Sequence, residues 1–334
     1  MKSKGLFGKY ASMSLLLITV SLFALRFGSV SLSSRTFFSA LFMKQGFESE
    51  SIILYLIRFP RLLAALLSGV GLSLSGVLLQ NLTDNALASP NTVGVNAGAG
   101  LGAILSMSVF FAYTPLARAT LNSFFAFLGA FLTTLFVLFL SYKTGGSKSG
   151  VILAGVAVTA VLNALISVIT LLDSDILISY NSFSIGSFSG VKYDQLAFPA
   201  AVIFLCVLLS AFFSRQIDIL CIGDEMAAVM GVNVSLLRIC CVLCASASAA
   251  AVVSFAGLLG FVGLVVPHIA RKFVGNNTNH LIFSSALIGA IITVSADLLG
   301  RIILSPSEIP VGIMMALIGV PFFIFIMLKR KGEY

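Results

Sequence analysis

Apolar runs of bilayer-spanning length recur along almost the whole chain, near residues 11–29, 54–80, 92–112, 118–141, 150–171, 196–214, 235–256, 259–271, 280–301 and 309–328. A helix needs about 20 apolar residues to cross the hydrocarbon core, and in lipid it satisfies its own backbone groups. Such frequent runs leave little for a soluble core. Only 10% of the 334 residues are charged and 59% are hydrophobic, whereas a soluble chain carries about 25% charged residues. The expected fold is all-α, a polytopic transmembrane helical bundle of about ten spans. No long soluble linker, low-complexity tract or charged tail interrupts it, so residues 1–334 are expected to form a single transmembrane domain. The eighth run is short and contains Pro267, so it is not expected to cross as one straight helix. A further short helix is expected around 177–187.

Lys2, Lys4 and Lys9 ahead of the apolar run Ala11 to Leu25 superficially resemble a secretory leader. Arg26 closes that run and no convincing small-x-small cleavage site follows, which favours an uncleaved first span. The cysteines do not read as a disulfide framework. Cys221 precedes a polar stretch, while Cys206, Cys240, Cys241 and Cys244 lie in apolar segments. Cys241 and Cys244 have CxxC spacing, but there is no second pair and the chain has only 2 histidines. Small residues for helix packing account for them better than a metal or redox site, and no cofactor is expected.

An even number of spans places both termini on one side. Lys2, Lys4, Lys9, Lys143, Lys148, Arg215, Arg271, Lys272, Lys329, Arg330 and Lys331 fall on that side, with Arg238 leaning the same way. By the positive-inside rule the N- and C-termini are therefore expected to be cytosolic. Arg26, Arg35, Lys44, Arg58, Arg61, Arg118, Lys192 and Arg301 remain for the opposite side. The group Arg58-Phe59-Pro60-Arg61 opens the second span, and its arginines, three apart, can project from one helix face. They could be snorkelling anchors, or guanidinium forks suited to holding carboxylates. Arg301 follows Asp297 at i, i+4 and could form an internal salt bridge with it.

Within the expected cytosolic segment 215–234 lies a polar island, Gly223-Asp224-Glu225-Met226-Ala227-Ala228-Val229-Met230-Gly231-Val232. Asp224 and Glu225 suit a helix N-terminus, and Gly231 suits the left-handed position that ends a helix. Met226, Val229 and Met230 then share one apolar face. A helix this short needs something packed on that face: either lipid headgroups or a soluble partner, and the cytosolic placement favours the partner.

Several spans are patterned for close helix contact. Gly94, Gly98 and Gly102 repeat at four-residue spacing, as do Ala65, Gly69 and Ser73, and Ser246, Ala250 and Ser254. Catalytic signatures such as GxSxG, HExxH and GxxxxGK[ST] are missing. His268 and Asp297 are a thin supply of intramembrane ionisable groups for ion coupling. A neutral pore or self-sufficient carrier stays open, but a transporter energised by another subunit fits better.

The stretch Gly257-Leu258-Leu259-Gly260-Phe261-Val262-Gly263-Leu264-Val265-Val266-Pro267-His268-Ile269-Ala270-Arg271 resembles the signature of FecCD-type permeases, the membrane subunits of ABC importers for iron-siderophores, haem and cobalamin. The likeness continues in Arg58-Phe59-Pro60-Arg61, in Gln80 with Asn85-Ala86-Leu87-Ala88-Ser89-Pro90, and in Gly94 to Gly98. It includes Leu153-Ala154-Gly155-Val156-Ala157, the Gly223–Val232 island, Ala296-Asp297 with Arg301, and Glu308-Ile309-Pro310-Val311-Gly312 to Gly319-Val320-Pro321-Phe322-Phe323. Ala86 departs from it, since the family usually has proline there. The resemblance implies a non-enzymatic permease of the bacterial cytoplasmic membrane, with ten helices per subunit. It implies assembly with a second permease, identical or homologous, with two cytosolic ABC ATPase subunits, and with an extracytoplasmic solute-binding protein. The ATPase-coupling helix maps onto Gly223, Asp224, Glu225, Met226, Ala227, Val229, Met230 and Gly231. The binding protein's carboxylates would meet Arg58, Arg61 and Arg301. A ferric siderophore is the expected substrate class, with haem and cobalamin behind it.

Overall fold

The computed structural model describes residues 2–28, 33–42, 46–109, 115–143 and 148–330, and every regular element among them is helical. The chain begins with α1 (Lys2–Arg26), followed by the short helices α2 (Ser34–Leu41) and α3 (Glu48–Ile52). A π turn, Ile53–Arg58, joins α3 to α4 (Phe59–Thr83), and a 3-10 turn, Pro90–Val93, precedes α5 (Val95–Val109). Then come α6 (Pro115–Lys143), α7 (Lys148–Leu172), the short α8 (Ser174–Ile185) and α9 (Tyr193–Phe212). Two further short helices, α10 (Ser214–Leu220) and α11 (Asp224–Val229), lead to α12 (Val234–Ala256), α13 (Val262–Val274), α14 (Thr278–Ile303) and α15 (Val311–Arg330).

The ten expected spans correspond to α1, α4, α5, α6, α7, α9, α12, α13, α14 and α15. Among the described residues, seven helical stretches are long and apolar enough to cross a bilayer, and Val95–Val109 and Val311–Ile324 are shorter apolar ones. The helix expected around 177–187 is α8, displaced a few residues toward the N-terminus. Short α2, α3 and α10 had no counterpart in the apolar pattern, because helices of one or two turns carry too little periodicity to be seen. Ser33 at least marks the start of α2, accepting a hydrogen bond from the Thr36 N–H.

Helices α4, α12 and α14 make the centre of the bundle, and α1 lies at its edge with only 6% of its apolar window buried. Glycines set how closely the central helices meet. A Cβ on Gly69 of α4 would collide with the backbone of Gly289 and Ala290 on α14, and one on Gly102 of α5 with the Phe125 carbonyl on α6. Gly94 packs in the same repeat, where a Cβ would stand 3.1 Å from Thr133 on α6, and it has a second part: it adopts φ 79° and ends the 3-10 turn ahead of α5.

At the crossing of α4 and α13, a Cβ on Gly76 would fall inside the van der Waals shell of the Gly263 carbonyl oxygen. Gly76→Ala is therefore expected to force two backbones apart and to destabilise the bundle by about 1–3 kcal/mol or more. A lowered thermal midpoint of the purified permease checks this, and an unchanged midpoint would contradict the crossing.

The eighth span breaks at a different place from the one expected. Pro267 sits inside α13 without ending it, and the turn lies earlier, at 257–261, where Gly257 and Phe261 have φ 72° and 65°. Proline withholds the N–H that would bond the carbonyl four residues back, that of Gly263. The Gln80 amide of α4 compensates, with its Nε2 3.3 Å from both the Gly263 and the Leu264 oxygens. Because Gly263 meets Gly76 well inside α4, and Phe261 meets Gly319 inside α15, α13 starts part-way through the bundle. Its 13 residues reach about 20 Å, too short for a full crossing.

The bundle has two distinct ends. At one, Lys9 Nζ donates to the Phe273 carbonyl (2.6 Å), Tyr10 donates to that of His280 (3.1 Å), and Asp218 accepts from the Thr278 N–H (2.8 Å). This end holds the start of α1, the ends of α4 and α13, and α10 and α11. The opposite end holds the α1 C-terminus, the π turn, the start of α9 and the end of α14. There the Tyr193 hydroxyl donates to the Tyr55 carbonyl at 2.7 Å.

Candidate functional site

Helix α11 follows the sequence expectation closely. It spans Asp224–Val229, and Gly231 takes φ 82° just beyond it. The Val232 N–H reaches back to the Ala227 carbonyl and the Gly231 N–H to that of Ala228, both at 3.0 Å, the paired closure of a Schellman motif. Asp224 at the N-terminus accepts from Arg238 Nη2 at 2.7 Å, tying the helix to α12. Ala227 is fully buried against the bundle. Met226, Val229 and Met230 are 53%, 84% and 59% exposed, so the apolar face points away from the chain's own core. A polar end of a membrane protein thus presents an uncovered apolar helix surface, anchored by its opposite side.

At the other end, the structure brings Arg58, Arg61 and Arg301 together and buries all three. Two of them close the end of α1. A helix leaves its last four carbonyls without intrahelical donors, and its dipole makes that end negative. Arg58 Nη1 donates to the Leu25 and Arg26 carbonyls, both at 2.7 Å. Arg301 donates from Nη2 to the Ala24 carbonyl at 3.0 Å and from Nη1 to that of Phe27 at 3.2 Å. Gly28 makes room for this, since a Cβ there would stand 3.2 Å from Arg301 Nη1.

Arg61 turns instead to carboxylates. Its Nε lies 2.9 and 3.1 Å from the two Asp297 oxygens, and its Nη1 donates to Glu308 Oε2 at 2.6 Å. Asp297 also faces Arg301 Nε at 3.1 Å, so the expected i, i+4 pair is present but is one side of a larger cluster. Buried guanidinium heads are not the geometry of snorkelling, which keeps the charge in water. The π turn ahead of Pro60 belongs to the same device. Pro60 has no N–H for the preceding turn, and the wider turn accommodates it while carrying Arg58 to the helix start.

Sequence reasoning missed Glu308 as a member of the cluster, although it was part of a recognised motif. It also missed the carbonyls of Ala24, Leu25, Arg26 and Phe27 at the end of α1, since backbone acceptors leave no mark in a residue pattern.

A third feature lies at the α11 end. A cavity of about 640 Å³ is lined by Gln80, Asn81, Asp84, Asn85, His268 and Arg271 among others, with Phe323 of α15 on its wall. Arg271 donates to the Gln80 side-chain oxygen Oε1 and, at 2.9 Å, to Asn81 Oδ1. Gln80 thus joins α4 to both ends of the α13 chain around Pro267. Ala86 sits in a loop held by Asn85, whose Oδ1 accepts the Leu87 N–H at 2.9 Å, so the turn closes without the proline usual at that position.

The model of the FecCD transport family matches residues 15–329. The chain is 32% identical to the hemin transport system permease protein HmuU of Yersinia pestis, over 96% of this chain and 95% of that protein. It is 36% identical to the Fe(3+)-citrate import system permease protein YfmD of Bacillus subtilis, over 88% of this chain and 85% of that one. A metal-chelate type ABC transporter solved in an inward-facing conformation superposes with a TM-score of 0.83 at 30% identity, covering 98% of this chain and 99% of that chain.

Proposed function

This chain belongs to the FecCD transport family as a multi-pass membrane permease, and we propose that it lines the translocation pathway of an ATP-driven importer for a metal chelate. Its relatives named for hemin and ferric citrate import support an iron chelate, with ferric siderophore as the substrate class. The subunit works beside a second permease, identical or homologous. It is powered by two cytosolic ABC ATPases and fed by an extracytoplasmic solute-binding protein. It forms one transmembrane domain and hydrolyses no ATP itself, in keeping with a sequence that has no GxxxxGK[ST] loop.

The observation that carries this reading is α11, a short helix anchored through Ala227 and Asp224 with its apolar face uncovered. Such a face suits a groove on a soluble partner. Lys9, Arg215, Arg238, Arg271 and Lys272 share its end of the bundle, which supports placing that end and both termini in the cytosol. The arginine cluster then faces outward, where Arg58, Arg61 and Arg301 receive the carboxylates of the binding protein. ATP binding closes the ATPases, α11 is displaced, and the central helices reorient so that chelate released from the binding protein passes to the cytosol.

The test is uptake of a radiolabelled ferric siderophore into liposomes holding the complex purified through this subunit. Uptake is expected to require ATP on the α11 side and binding protein on the other. Uptake driven by an ion gradient without the ATPase would overturn the proposal.

A further inference from the structure

The buried cluster raises a question of access, because Arg61 already holds two carboxylates. Its Nε is taken by Asp297 and its Nη1 by Glu308. For a carboxylate from outside to grip both Nη atoms of this guanidinium as a fork, the one at Nη1 must give way, and the two carboxylates are not equivalent. The Asp297 side chain is 4% exposed and also faces Arg301, so withdrawing it leaves a buried charge unpaired. The Glu308 side chain is 28% exposed and lies in the segment between α14 and α15, outside both helices. Moved into water, it regains hydration and leaves Arg61 paired with Asp297.

We propose that Glu308 is the exchangeable carboxylate of the cluster: it occupies the outward position on Arg61 that a carboxylate of the docking binding protein takes. Docking is then a carboxylate exchange rather than an addition to an unpaired arginine. This inference rests on the reading that the binding protein docks at Arg58, Arg61 and Arg301. Charge supports the exchange. Arg61 and Arg301 face Asp297 and Glu308, and Arg58 beside them sits on the Leu25 and Arg26 carbonyls, so the five side chains together carry one net positive charge to draw an acidic partner.

Release of Glu308 also reaches the next helix. Ile309, its neighbour, donates its N–H to the Gly300 carbonyl at 2.9 Å, and α15 starts two residues later at Val311. The segment that Arg61 contacts through Glu308 is therefore the link between α14 and α15, and docking removes that contact.

The experiment measures the affinity of the full complex in lipid nanodiscs for the solute-binding protein that co-purifies with it, once identified by mass spectrometry. Glu308→Gln removes the competing charge and is expected to tighten binding about fivefold or more. Glu308→Asp, which keeps the charge on a shorter arm, gives a smaller gain and serves if the glutamine variant does not fold. The gain is expected to vanish in an Arg61→Gln background. A gain that persists there is a bulk charge effect and overturns the exchange, as does unchanged or weaker binding by Glu308→Gln. If Arg61→Gln alone leaves binding unchanged, the docking reading itself fails. If it weakens binding while Glu308→Gln does not tighten it, only the exchange fails.

Discussion

Replacing Asp297 with alanine is expected to destabilise the permease by about 3–5 kcal/mol, the cost of removing one partner from a buried ion pair. Asp297 lies between Arg61 at 2.9 Å and Arg301 at 3.1 Å, and it belongs to α14 while Arg61 belongs to α4. Its loss leaves two buried guanidinium groups facing each other across the closely packed α4 and α14. The remaining acceptors do not replace it. Arg301 keeps the α1 carbonyls and Arg61 keeps Glu308, but neither supplies a carboxylate between them. Asp297→Asn, with the same shape and one remaining acceptor oxygen, is expected to lose less than alanine. Thermal unfolding of the purified permease provides the measurement. An alanine variant within about 1 kcal/mol of wild type would show that the cluster is not holding α4 to α14.

The second large effect is expected at the other end. Met226→Asp together with Met230→Asp is expected to cut ATP-driven uptake by at least tenfold, a loss of about 1.4 kcal/mol or more in partner binding. Both side chains are more than half exposed, so the substitutions disturb no internal packing. Added charge on this face instead opposes the burial that docking requires. The permease should still purify and melt normally, while the ATPase no longer co-purifies or its hydrolysis no longer depends on the binding protein. Ala227→Asp makes the contrast. Ala227 is fully buried, and a charge there should damage the fold itself. Wild-type uptake by the double variant would remove α11 from the coupling path.

The helices were legible because lipid imposes one pattern on all of them, and the runs from Tyr193 to Phe212 and from Thr278 to Ile303 differ from expectation by only two or three residues at each end. The limits of α11 were legible too, since Asp224, Glu225 and Gly231 are chemical signals of a helix start and stop. What stayed hidden depends on contacts distant in sequence. Gln80 reaches Gly263 across 183 residues, so nothing near Pro267 shows that its missing donor is replaced and that the chain continues as helix. Arg58 was visible as a charge out of place, but not as the cap of a helix ending 32 residues earlier. Glu308 appeared in a motif without a role, because its role is fixed by Arg61 on another helix.

The capping of α1 gives the surrounding lipid a lever on the arginine end of the molecule. Only 6% of this helix's apolar window is buried, yet it is fastened at two places. Lys9 and Tyr10 hold it about two turns from its start, and Arg58 and Arg301 hold its end. A bilayer whose thickness does not match a peripheral helix tilts it at a cost of a fraction of a kcal/mol per ångström. Tilt of α1 pulls its terminal carbonyls against two of the guanidinium groups proposed to receive the binding protein. Membrane thickness would thereby act on the same residues as the proposed docking partner, with α1 as the strut that carries the load.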